Sequence, residues 1–400
     1  MAVKKQPIKK KDPSSFNISD LKKKIGIDVE GVQDINKSNA DKPMEWLVLP
    51  KAFENALQIP GIPMGFISGI TGWSDTGKST IKNCVIAACM RQGVIPVIYE
   101  TENNFNFEHA IDCGMQAIPI YDDVEEVDES TGEVRTVNKI INYEGDFIYF
   151  NNNLLCELYG NRDYSNGTEK KEKRKVAVLE DIAYSINTLL DMQDQGEIDR
   201  PLCFIWDSIG SITSYRSYIS KSGNNMFDAG AISQAFSEII NTRIPASRNI
   251  GSPYTNTMFC VNKIWDSSML TMGKPSIELK GGKSMYYAFR LLIHVGKIIK
   301  ASTKKEVMEV KGQKIRIGTT SQIETVKNHL PAPWNITRVS EITSVHNGLI
   351  SPEDLPEYKK KEIPILLKKL EKLTNQNFSD ISEKDIKFET IIDDNIVDSD

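Results

Sequence analysis

The chain has 400 residues, a formal charge of −5 at pH 7, and 40% apolar and 26% charged residues. That length buries a full core and predicts one large domain with smaller appendages, while the slightly acidic balance excludes a dominant nucleic-acid arm and confines any DNA or RNA contact to local cationic patches. No apolar run is long enough to cross a bilayer and the first residues lack the apolar core of a secretory signal, so the expectation is a soluble cytoplasmic protein with no membrane partner.

Residues 1–43 open with a basic lead holding Lys4, Lys5, Lys9, Lys10 and Lys11 and nothing from which to build a core, a composition that predicts disorder. Ser19 and Asp20 then supply capping residues for a short helix over residues 20–25, suited to docking on a partner. Globular sequence begins near Met44. Residues 66–71 read as a buried strand, and residues 77–92 carry Ile81, Val85, Ile86 and Cys89 at helical intervals. Between them, Gly72, Trp73, Ser74, Asp75, Thr76, Gly77, Lys78, Ser79 and Thr80 fit the pattern G-x-x-x-x-G-K-[ST].

The chemistry of phosphate binding needs those residue types at that spacing. Two glycines let the loop fold back so that its N–H groups converge on a β-phosphate, and the following helix adds the positive end of its dipole. Lys78 supplies a point charge to the β- and γ-phosphates, and the Ser79 hydroxyl suits a Mg²⁺ bridging the same oxygens. A glycine turn with an incidental lysine is the bland alternative; the strand, loop and helix in succession argue against it. A nucleoside triphosphate and Mg²⁺ are the expected cofactors.

Further along, residues 95–100, 202–207 and 257–262 read as strands and residues 178–193 and 228–242 as helices. Apolar strands alternating with helices predict an α/β fold, its largely parallel sheet covered on both faces and its ligand at the carboxyl ends of the strands. Residues 117–175 form an irregular insert, first an acid-rich hairpin around Ser130, Thr131 and Gly132, then a basic run over residues 170–175 that reads as a solvated loop. Residues 286–295 read as a strand and residues 315–326 as part of a hairpin turning at Lys311 and Gly312, after which Pro331 and Pro333 end the sheet. Residues 336–375 form a small C-terminal region and residues 376–400 an acidic disordered tail. The six cysteines are scattered and read as core thiols of a reducing compartment; the four histidines are too dispersed for a zinc site.

A phosphate loop alone does not separate hydrolase from kinase or switch, so the carboxylates matter. Asp207 closes an apolar strand and precedes Ser208, the position expected of a carboxylate that holds the Mg²⁺ water shell, although such aspartates also cap helices. Glu102 and Glu100 compete for the role of polarising the attacking water.

The order and spacing of these motifs is similar to the RecA recombinase family. The resemblance rests on residues 57–65, the phosphate loop, Tyr99-Glu100-Thr101-Glu102, His109-Ala110-Ile111-Asp112-Cys113-Gly114, Asp207-Ser208-Ile209, Val261-Asn262-Lys263, Gly281-Gly282, and Val326-Lys327-Asn328-His329-Leu330-Pro331-Ala332-Pro333. It covers about residues 57–334 apart from the insert, and residues 178–212 look most like the phage UvsX branch. The resemblance implies a RecA-type ATPase core over residues 44–335, a mixed, mostly parallel sheet flanked by helices, with ATP and Mg²⁺ as cofactors. It implies that Glu102 activates water and that Lys327 and His329 reach the γ-phosphate from the neighbouring subunit. It further implies a first DNA-binding loop with Arg216 and Lys221, a second with Lys274, Lys280, Gly281, Gly282 and Lys283, and a γ-phosphate sensor at Lys263. Lys263 stands where the family has glutamine, and His329 where it has lysine. The implied function is a DNA-dependent ATPase that forms a homo-oligomeric filament on single-stranded DNA and pairs it with a homologous duplex, aided by loader and single-strand-binding proteins, in the host cytoplasm if the source is a phage. A replicative helicase on the same core, or an ATP-switched filament or mediator protein without strand exchange, are the alternatives.

Overall fold

The computed structural model describes residues 42–127, 134–220, 226–266, 277–279, 282–297, 302–374 and 386–393. The chain enters through β1 (Trp46–Val48), α1 (Lys51–Leu57), β2 (Gly61–Pro63), β3 (Ile67–Gly72), α2 (Lys78–Arg91), β4 (Ile95–Glu100) and α3 (Phe107–Asp112). The insert supplies β5 (Ile118–Val127), β6 (Val134–Glu144), β7 (Ile148–Asn151), α4 (Asn152–Tyr159), β8 (Arg162–Asp163) and β9 (Thr168–Glu169). Then follow α5 (Leu179–Asp194), β10 (Leu202–Ile209), α6 (Tyr215–Ser220), α7 (Met226–Ala235), β11 (Thr257–Asp266), β12 (Ile277–Leu279), α8 (Gly282–Ala288) and β13 (Phe289–Val295). The chain closes with β14 (Thr303–Val310), β15 (Gln313–Asn328), β16 (Val339–Val345), β17 (Gly348–Ile350), α9 (Leu355–Thr374) and β18 (Ile386–Asp393).

One 12-stranded sheet runs β17-β16-β15-β13-β3-β11-β10-β4-β7, with β12, β14 and β18 paired off that path. The six strands from β13 to β7 are mutually parallel, and the strands beyond β13 are antiparallel. The parallel strands are apolar at successive positions because both faces are covered. Along β10, Cys203 and Ile205 join the core under α1 and α2, with Phe53, Leu57, Ile81 and Val85. Their neighbours Phe204 and Trp206 point the other way, into a core with Ile182 and Ile186 of α5 and with Phe236.

This is an α/β protein with a large mixed, mostly parallel sheet flanked by helices, as the alternating pattern predicts. Several segments depart from the sequence reading. The insert is not wholly irregular, because β7 lies inside it and forms the parallel edge of the main sheet, its residues Ile148, Tyr149 and Phe150 pairing with Val97, Ile98 and Tyr99. The hairpin β5–β6 is present, while its turn over residues 128–133 lies outside the described residues. Pro331 and Pro333 interrupt the sheet without ending it, since β16 returns to pair with β15. Part of the expected disordered tail is ordered: β18 pairs along all of β14, and Ile386 packs against the small core of Met308 and Val310. Residues 282–288, read partly as strand, are helix α8, whereas the helix expected over residues 228–242 is present, running through α7 and on into a π-helical turn at Ile239–Arg243. The basic lead and its expected docking helix lie outside the described residues.

Candidate functional site

The parallel register brings the chemistry to one edge. Asp207 stands beside Glu100 on one side and Val261 on the other, and Lys263 pairs with Gly72 at the end of β3. Two-residue alternation turns Asp207 and Glu100 towards α2, opposite to Trp206 and Tyr99. The segment 72–80 leaves β3 at this same edge and becomes α2.

Close approach fixes the two glycines of that loop. A side chain at Gly72 would lie 2.1 Å from the Val295 carbonyl oxygen of the paired strand β13. Gly77 has φ of 99° and a Cβ there would meet Ser344 Oγ at 2.2 Å, so both the backbone conformation and the space favour glycine. Thr76 Oγ1 donates to the Trp73 carbonyl at 2.9 Å, and the Lys78 ammonium donates to that same carbonyl, so the loop is closed on itself. Gly77, Lys78, Ser79 and Thr80 line a cleft of about 400 Å³ whose far wall includes Arg316 and Ser344. Arg316 and Lys305 both reach Asp75, at 3.5 and 3.7 Å.

At the strand ends, the Ser208 hydroxyl donates to Glu102 Oε1, and Asn104 Nδ2 donates to Glu102 Oε2 at 3.2 Å. Glu100 Oε1 instead accepts the backbone N–H of Glu102 at 2.7 Å, and burial pushes the Glu100 carboxyl up from its ordinary range. Glu102 is half-buried and Glu100 fully enclosed, so of the two competing carboxylates only Glu102 is placed to meet a solvent molecule. The Asp207–Ser208 peptide bond is cis. Beside Asp207 lies a residue that the sequence reading passed over: the Lys82 ammonium, 2.6 Å from Asp207 Oδ2.

Other candidates fall elsewhere. Lys327 is buried, donating to the carbonyls of Tyr286 at 2.6 Å and Tyr287 at 3.1 Å, and burial lowers its pKa. His329 is exposed beyond it. Arg216 is exposed on α6 and lines a groove of about 910 Å³ with Tyr164, Glu180, Tyr184 and Tyr215. Glu180 accepts the Tyr215 N–H at 2.8 Å, and burial pushes its carboxyl up to about 7. The basic run behind this groove is not a free loop. Lys170 reaches Tyr215 Oη at 3.1 Å and Asp163 at 3.0 Å, and Arg174 is buried against Asp181 at 2.5 Å. Lys221, Lys274, Lys280 and Gly281 lie outside the described residues, Gly282 and Lys283 begin α8, and Lys263 stands on β11.

The oxygen donors near the loop suit a hard cation. Ser79 offers a hydroxyl at the cleft and Asp207 a carboxylate of which one oxygen is engaged by Lys82. No group of three or more His, Cys, Asp or Glu able to hold a metal occurs among the described residues, so Mg²⁺ would draw its remaining ligands from water and a bound phosphate. No helix among the described residues is long and apolar enough to cross a membrane. No protein-family model matches the chain, and no curated protein matches it.

Proposed function

We propose that this protein is a RecA-type, DNA-dependent ATPase that assembles as a filament on single-stranded DNA and promotes homologous pairing and strand exchange with a duplex. The observation that carries the reading is that a closed glycine loop bearing Lys78 and Ser79 leaves β3 at the same edge of the parallel sheet where β10 brings Asp207 and β4 leads into Glu102. Loop N–H groups and Lys78 bind the phosphates of ATP, with Lys78 exchanging the Trp73 carbonyl for phosphate oxygens. Ser79 and Asp207 would hold Mg²⁺, which would supply charge neutralisation to the phosphates. Glu102, oriented by Ser208 and Asn104, takes the proton of the attacking water.

The remaining roles follow the resemblance. Lys327 and His329 serve the γ-phosphate bound by a neighbouring copy, Lys263 senses it, and the segments around Arg216 and Lys283 contact DNA through phosphates and bases. Loader and single-strand-binding proteins are the further partners of such a filament. Replacing Lys78 by Ala tests the reading. DNA-stimulated ATP hydrolysis is expected to fall by about 100-fold or more, and strand exchange with it. Undiminished hydrolysis by that variant would overturn the assignment of the loop.

A further inference from the structure

Lys82 follows Lys78 by one turn of α2 and is 3% exposed, in an enclosure where Glu100 is 0% exposed. Its Nζ lies 2.6 Å from Asp207 Oδ2 and 3.9 Å from Glu100 Oε2, and the Phe105 ring sits 4.8 Å from it. Glu100 Oε2 has no hydrogen-bond partner among the described residues, and Lys82 is a cation that faces both carboxylates. Buried lysines are rare and are kept where a charge needs them. The neighbours of Lys82 on α2, Ile81, Cys84, Val85 and Ile86, are apolar and belong to the core.

We propose that Lys82 is a positioning residue, a resident counter-charge that holds Asp207 and Glu100 in place before any divalent cation arrives and moderates how strongly the pair draws one. The inference rests on the reading of Ser79 and Asp207 as the Mg²⁺-holding groups, and it adds a residue and a regulation to that reading. With Lys82 present, an ammonium stands against both carboxylates and they are held without metal. Removal of the ammonium leaves two enclosed carboxylates with no adjacent cation, a state that Mg²⁺ relieves.

Thermal melting of the full chain without nucleotide, in EDTA and in millimolar Mg²⁺, tests this for the wild type and Lys82→Met. The wild type is expected to melt alike in both. The variant is expected to melt lower in EDTA and to gain about 2 °C or more from Mg²⁺. If Lys82→Met does not fold, the double variant Lys82→Met, Asp207→Asn removes one charge of each sign and is expected to fold and to ignore Mg²⁺. The proposal fails if Mg²⁺ moves Lys82→Met no more than the wild type, or if the double variant is as unfolded as the single one. Binding of a fluorescent ATP analogue to the wild type is scored separately. Its absence alongside a Mg²⁺ response in Lys82→Met would sink the nucleotide reading and leave the counter-charge standing.

Discussion

The parallel half of the sheet and its antiparallel flank solve opposite problems. Strands β3, β4, β10, β11 and β13 are covered on both faces and enclose polar groups: Asp207 and Glu100, with Lys82 of α2, on the α2 side, Thr71 and His294 on the other. The flank of β14, β15, β16 and β18 has a small core of its own, Met308, Val310, Ile317, Leu366 and Leu370, and carries ion pairs at the surface, such as Lys304–Glu341 and Lys314–Glu389, beside an enclosed Glu306 that meets Lys359 of α9 at 2.7 Å. Enclosed polar groups are costly unless they have a task, whereas surface pairs cost and contribute little. The enclosed charges Asp207, Glu100 and Lys82 gather at the carboxyl edge of the parallel half, where burial makes each costly unless it is paired.

The largest contrast is expected in packing. Trp206 is fully enclosed and stacks on Phe236 with ring centroids 5.0 Å apart, between a rigid sheet and α5. Trp206→Ala is expected to cost about 3–5 kcal/mol in urea unfolding, because the surroundings cannot collapse into the space. Leu370→Ala, in the small flank core under α9, is expected to cost about 2 kcal/mol, near the lower end for such truncations. Equal costs at the two positions would show that the flank is packed as tightly as the centre.

The same contrast governs what was legible in the sequence. Long apolar runs announced β3, β4, β10 and β11, and the glycine loop stood out because its residue types and spacing serve one chemistry. Short or mixed elements were hidden. The four residues of β7 are too few to show a period, β18 lies within acidic sequence, and Tyr286 and Tyr287 suggest strand although they fall in the last turn of a helix. Lys82 could have been noticed as the residue one turn after Lys78, but what it faces depends on the strand order β3-β11-β10-β4, which is a tertiary fact. Register likewise separates Glu102 from Glu100, since only the position of each carboxylate relative to the enclosed sheet distinguishes them.

A second way to sharpen the comparison is pH. His294 stands on β13 beside Thr71 of β3 and Glu324 of β15, fully enclosed, and burial lowers its pKa from 6.5 to about 4. Unfolded, the ring binds a proton as pH falls below 6.5; folded, it does so only near 4. Stability is therefore intact above that window and is lost as pH falls through it, by about 3 kcal/mol for this group at the lower end. His294→Leu is expected to flatten the pH dependence of urea unfolding between those values. A slope identical to the wild type would show that the ring titrates in the folded protein much as it does in water.

The smallest effect is expected where the flank meets solvent. Lys304 and Glu341 are 2.9 Å apart, with side chains 47% and 48% exposed, reaching across β15 from β14 and β16 on its two sides. The pair gains little Coulomb energy against water and gives up side-chain freedom, so Glu341→Gln is expected to change stability by less than about 1 kcal/mol, and by less still in high salt. A loss comparable to that from Trp206→Ala would mean that this surface is covered in solution, since only exclusion of water makes an ion pair of this geometry costly to break.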